Sequence, residues 1–212
     1  SPCLLDHQTS TYTYALSSYI CPLSHLMQPL LNAITHMALP TDAQRIFHGR
    51  GGLYPGCESW ALDAFPPVML LTSFQPVSED ELAVVGAALS SRWAQIAPDQ
   101  ALNWVFQCRA EGHLETRLMS GTVPEPHVVT ENGASFRVHV LKGQNHGLFL
   151  DMAEGRKWVR RMVGNYGADQ PRLKVLNLFA YTCAFSVVAM QAGAKQVVNV
   201  DMSHGAMAIG QQ

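Results

Sequence analysis

The chain has 212 residues, of which 48% are hydrophobic and 14% charged, and its net charge is −2. That is enough apolar material for one large or two small cored domains. The charge balance advertises no polyanionic partner, so a nucleic-acid binder of this composition must work through a local basic patch. In chain order, the first dozen residues are polar and promise little structure. Pro22 to Ala38 predicts a helix, with Leu23, Leu26, Met27, Leu30, Leu31 and Ile34 on one side and a kink or break at Pro29. Gln44 to Cys57 reads as a strand followed by the glycine-rich turn HGRGGLYPG. Ala61 to Phe74 holds short strands split by Pro66-Pro67. Ser78 and Glu81 have capping-box spacing and open a helix whose stripe is Leu82, Val85, Leu89, Trp93 and Ile96; Pro98 ends it. Asn103 to Cys108 and Leu114 to Met119 are expected strands around a turn at Glu111-Gly112.

Pro124 and Pro126 mark an expected domain boundary, giving an N-terminal α+β domain over residues 1–125 and a second domain over 126–212. In the second, Glu131-Asn132-Gly133 predicts a hairpin, because Asn-Gly supplies the two positive-φ residues of a type I′ turn. Phe136, Val138 and Val140 alternate with Arg137 and His139, as in a half-buried strand. Met152 to Met162 predicts a helix and Gly164 to Arg172 a linker. Lys174 to Leu178 predicts a buried parallel strand, Phe179 to Ala184 a loop, and Phe185 to Ala192 a helix stopped by Gly193. Val197 to Val200 is a second strand with Asp201 at its end. The whole is a strand–helix–strand crossover and the fold class is α/β.

No run reaches the roughly 18 apolar residues of a membrane helix. Ile20 to Leu39 comes nearest and is interrupted by Pro22 and Pro29. Asp6 and His7 fall where a signal peptide needs its apolar stretch. Cys3, Cys21, Cys57, Cys108 and Cys183 are widely spaced with no CxxC pair, which argues against a disulfide framework or a zinc finger and for a reducing, cytoplasmic setting. His113 and Glu115 match no metal signature, and no metal is assigned.

Position makes Asp201 interesting. Ligands of doubly wound sheets bind outside the carboxyl ends of the strands, and an acid ending the second strand can accept hydrogen bonds from ribose hydroxyls. The plainer alternative is that Asp201 caps the next helix. Spacing alone leaves both open.

The segments RIFHGRGGLYPG at 45–56, the ENG hairpin, HGLFLDM at 146–152, VLNLFAYTCAFSV at 175–187 and VVNVDMS at 197–203 lie in an order that resembles one family. It is the Rossmann-like bacterial S-adenosylmethionine-dependent methyltransferases that include the 23S rRNA cytosine-C5 and the related guanine-N7 enzymes. The resemblance runs from about Asp42 to the end of the chain. It implies S-adenosyl-L-methionine as cofactor and RNA, ribosomal in particular, as partner. It implies that Asn177, Phe179, Ala180, Tyr181 and Thr182 surround the methionine part and that Asp201 holds the ribose. Met202 and Ser203 would lie beside the adenine. Phe149 and Asp151 would close the other side, with Arg156 near the methionine carboxylate.

Two features depart from the family pattern. Cys183 and Ala184 stand where two glycines are common. Few residues follow Asp201, so the methyltransferase sheet is expected to be incomplete, and the paired-proline motif on the substrate side is not in the sequence. No catalytic residue is assigned. Cys183 is read as a small residue at a helix start rather than a nucleophile, and HGRGG as a tight turn rather than a phosphate cradle. Arg156, Lys157, Arg160 and Arg161, with Arg45 and Arg50, are candidate phosphate contacts. A binding module without turnover is the alternative function. A nicotinamide-dependent oxidoreductase is disfavoured by the absence of GxGxxG after Leu178.

Overall fold

The computed structural model describes residues 27–169 and 172–211. The polar first dozen residues, Cys3, Cys21 and the Pro22–Leu26 part of the first expected helix lie outside them. Helix α1, Gln28–His36, has Pro29 in its first turn. A proline there loses no intrahelical bond, so the expected kink does not arise.

Strands β1 (Gln44–His48), β2 (Trp60–Phe65), β3 (Val68–Ser73), β4 (Asn103–Ala110) and β5 (His113–Ser120) form one sheet in that order. Only β3 and β4 run parallel. The crossover between them is α2, Glu79–Ile96, which starts on the complete Ser78–Glu81 capping box. The two faces of the sheet serve different neighbours. Leu62, Met69, Leu71, Trp104 and Phe106 face the α2 stripe of Leu82, Val85, Leu89 and Trp93, together with Leu30 and Ile34 of α1. Arg92 of α2 also donates to the carbonyl of Met37 at 2.6 and 2.9 Å, which ties down the end of α1.

The opposite face presents Phe65, Val68, Leu70 and Val105, and these pack into a second apolar cluster. Its other members include Val129, Phe136 and Val138 of the hairpin β6 (His127–Glu131) and β7 (Ala134–Val138). Asn132 and Gly133 turn the hairpin with φ of 49° and 78°, as a type I′ turn requires. Leu148 and Leu150 continue the cluster into a one-turn 3₁₀ helix, Leu150–Met152, which leads into α3, Ala153–Asp169.

The expected linker from Gly164 is therefore helical as far as Asp169. Extending a helix already nucleated costs little per residue, even through Gly164 and Gly167. Strand β8 (Lys174–Leu178), helix α4 (Ala184–Gln191) and the parallel strand β9 (Gln196–Val200) complete the crossover, and α5 (His204–Gly210) follows. The β8–β9 pair is not buried as expected. Val175 and Val197 pack toward α3 and α4, whereas Leu176 is 61% exposed and Leu178 56%. A parallel pair needs a layer on each face to be buried, and the described residues supply one.

Candidate functional site

The parallel register sets Leu178 beside Val200, so the loop after β8 and the residue after β9 emerge side by side. Backbone bonds lock the two together. Ala180 N–H donates to Val200 O at 3.1 Å, and Cys183 N–H to Ala180 O at 2.8 Å. Asp201 accepts from Tyr181 N–H at 2.8 Å on one carboxylate oxygen and from Ser203 N–H at 2.7 Å on the other. These N–H groups, Ser203 first and Tyr181 next, hold the Asp201 carboxyl below the usual carboxylate range. Ser203, not Asp201, caps α5, through its hydroxyl at 3.3 Å from Ala206 N–H. A carboxylate offers about four acceptor positions. Asp201 thus keeps acceptor capacity at the open edge of the pair.

The loop is tightly wound. Phe179, Tyr181 and Cys183 adopt φ of 56°, 49° and 63°. Left-handed conformations in non-glycine residues are sparsely populated and concentrate at binding sites. Cys183, which stands where the resembled family commonly has a glycine, is one of these and takes the left-handed conformation that glycine favours. Cys183 is buried, and burial, then the Asp201 charge, push its thiol upward. That is the wrong direction for a nucleophile.

A second wall closes on this loop through one glycine. Gly147 N–H donates to the Tyr181 hydroxyl at 3.2 Å, and Gly147 O accepts from the Thr182 hydroxyl at 2.5 Å. Gly147 has φ of 93°, and a Cβ there would stand 2.9 Å from Arg137 O. Two residues on, the Phe149 ring lies 4.8 Å from that of Tyr181. HGLFLDM and NLFAYT are thus one physical unit. Thr182 and Ala180 are buried within it, whereas Phe179 and Met202 are 90% and 95% exposed on either side of Asp201.

Phe149, Ala180, Tyr181, Thr182, Asp201 and Ser203 are thus brought together, with Phe179 and Met202 at the rim. Asn177 lies under the loop and turns its amide to Ser186 (2.8 Å) and Asn199 (3.2 Å). Asp151 is exposed and lines a separate cleft described below. Arg156 is corrected. It is 2% exposed and paired with buried Glu131 through two bonds of 2.7 Å, with the Phe136 and Phe185 rings near its guanidinium. A guanidinium committed on both prongs is not offered to a ligand carboxylate, nor to RNA. The basic face of α3 reduces to Lys157, paired with Glu154, Arg160, bonded to Gln191, and Arg161.

The Phe149–Asp151 segment also borders a cleft of about 690 Å³ against the five-stranded sheet. There Arg45 pairs with Asp63 at 2.8 Å, and Arg109 bonds to Gln107 and, at 2.8 Å, to His146 Nε2. His146 Nδ1 meets His139 O at 3.0 Å, so its Nδ1–H donates there and Nε2 accepts from Arg109. Burial pulls this imidazole down to about 4, so it is neutral at physiological pH. Sequence reading passed over Gly147, Glu131 and His146. HGLFLDM contains two of them and the ENG hairpin the third, but neither segment signalled their roles. Among the described residues no helix is long and apolar enough to cross a membrane, and no group of three His, Cys, Asp or Glu residues is placed to hold a metal.

Over 102 residues the chain is 39% identical to ribosomal RNA large subunit methyltransferase I of Tolumonas auensis, covering 47% of this chain and 24% of that protein. Over 172 residues it is 28% identical to the protein of the same name from Escherichia coli O1:K1, covering 81% and 41%. The matched stretches thus span less than half the length of these curated relatives. Its fold matches a solved structure from Streptococcus mutans, described as a candidate SAM-dependent methyltransferase. The TM-score is 0.63 at 23% identity, with 89% of this chain and 47% of that one covered. A family model for S-adenosylmethionine-dependent methyltransferases matches residues 44–212, and the chain belongs to that family.

Proposed function

We propose that this protein transfers the methyl group of S-adenosyl-L-methionine to a base of RNA, ribosomal RNA in the first instance, in the cytoplasm. The observation that carries the reading is the union of the β8 loop with Asp201 on one side and Gly147–Phe149 on the other. Its residues fit the cofactor. Asp201 would accept from the ribose hydroxyls with its remaining lone pairs, Phe179 and Met202 offer open apolar surface beside it, and the wound loop would receive the methionine part. When bound, the cofactor supplies an electrophilic methyl group for attack by a base nitrogen or carbon. The chain's own contribution is to hold the two partners in line. On this reading residues 126–212 form the cofactor side and residues 1–125 the substrate side. The curated relatives' name supports ribosomal RNA as substrate.

The test is transfer of labelled methyl from S-adenosylmethionine to ribosomal RNA taken from a strain lacking the gene. Incorporation at one site is expected. A protein that binds the cofactor but leaves this RNA unlabelled would point to another substrate.

A further inference from the structure

The turn HGRGGLYPG is absorbed neither by the fold nor by the cofactor site. It stands between two clefts. The first is the Arg45–Arg109–His146 cleft beside Phe149, of about 690 Å³. The second, of similar volume, lies between α1 and the turn and is bordered by Leu53 and Tyr54. His48 and Arg50 line both, so the clefts adjoin.

Three properties of this junction point the same way. First, the Arg50 guanidinium lies over the Phe74 ring at 4.3 Å, and no carboxylate pairs with it among the described residues. Stacking fixes the plane and leaves the donor fork free, which suits bidentate binding of a phosphate. Second, the first cleft carries excess positive charge. Arg45 is neutralised by Asp63, Arg109 has neutral partners in Gln107 and His146, and Asp151 is the one further acid in the lining. Third, the far cleft offers aromatic and apolar surface in the open. Tyr54 is 40% exposed and braced against Phe47 at 5.1 Å, and Leu53 is 79% exposed. Phosphate grips alternating with stacking platforms are how proteins hold single strands.

We propose that the two clefts form one track for a single-stranded segment of the RNA substrate. Arg50 grips a phosphate at the junction, Tyr54 stacks a base on one side, and the strand leads past Arg109 toward Phe149 and the cofactor loop. This rests on the RNA part of the proposed function. It gives that substrate a path that does not use the α3 surface.

The test measures binding of a short fluorescent oligoribonucleotide to the 212-residue chain by anisotropy across a salt series, with thermal melts as a check on folding. Arg50→Ala should weaken binding about tenfold and flatten the log–log salt slope by about 0.7, the value of one single-strand phosphate contact. Arg50→Lys, which keeps the charge and loses the fork, should keep the slope and recover part of the affinity; it also decides the matter should Arg50→Ala unfold. Tyr54→Ala should weaken binding about fivefold or more without moving the slope. Lys195→Ala, on an exposed residue remote in sequence from both clefts, should bind as the parent does. Parent-like affinity in both Arg50→Ala and Tyr54→Ala overturns the track while leaving RNA binding intact. Displacement of the RNA by polyglutamate at equal charge concentration also overturns it, in favour of an acidic protein. No RNA binding by the parent chain at low salt removes the RNA reading and the track together. Titration with S-adenosylmethionine separates that outcome from failure of the cofactor reading.

Discussion

Arg156 and Glu131 put a full ion pair where each residue is almost without solvent, at 2% and 4% exposure. Such a pair is costly to break from one side, because the remaining charge has neither water nor partner. Glu131→Ala should therefore cost about 3–5 kcal/mol in urea unfolding, and the double change Glu131→Leu with Arg156→Met much less. Equal losses would show that the pair is not what holds this region. The sequence pointed Arg156 outward, to a ligand carboxylate or an RNA phosphate, because a basic run on a helix reads as a solvated face. Its partner was not legible either, because Glu131 lies on a hairpin remote in sequence. His146 makes a second residue-scale prediction. The folded imidazole stays neutral down to about pH 4, whereas an unfolded histidine takes up its proton near 6.5. In that window the unfolded chain binds more protons, so stability falls as pH drops through it. The urea midpoint of the parent should fall more steeply between about pH 7 and 4.5 than that of His146→Gln, and parallel profiles would contradict the assignment.

At the scale of elements, periodicity and turn chemistry carried most of the fold. Ser78 and Glu81 announced α2, Asn132-Gly133 the hairpin, and Gly193 the stop of α4, because each is a local rule satisfied by neighbouring residues. Two features escaped for physical reasons. α3 runs on through Gly164 and Gly167 because propagation tolerates residues that would spoil nucleation. The joint between HGLFLDM and NLFAYT depends on Gly147 approaching Arg137 O, Tyr181 and Thr182 at once, and no spacing rule reports a contact between distant loops. Gly147→Ala tests that joint. Its Cβ meets a backbone oxygen at 2.9 Å, and its φ of 93° suits glycine. The substitution should cost about 1–3 kcal/mol and weaken cofactor binding in the fraction that still folds. A destabilised protein with unchanged cofactor affinity would separate the joint from the site.

At the scale of the molecule, one apolar cluster runs from Phe65 and Val105 of the large sheet through Phe136 and Leu150 to Val188 of α4. It holds the cleft of Arg45 and Arg109 against the loop after β8, with Phe149 bordering one and touching the other. The α/β class was legible, and so was the gathering of most of the named residues around Asp201, because they sit in short, specific segments; that these residues hold the cofactor is the proposal. The charged cleft was not legible, because Arg45, Asp63, Arg109 and His146 come from separate strands and a loop. Binding of the cofactor is the claim on which the rest stands. Its most direct measurement is calorimetric titration of the protein and of Asp201→Ala with S-adenosylmethionine and, in parallel, with NAD. Saturable binding of S-adenosylmethionine is expected, weakened about tenfold or more in Asp201→Ala, which corresponds to about 1.4 kcal/mol or more of lost hydrogen bonding. Binding of NAD with none of S-adenosylmethionine would contradict the assignment of the site.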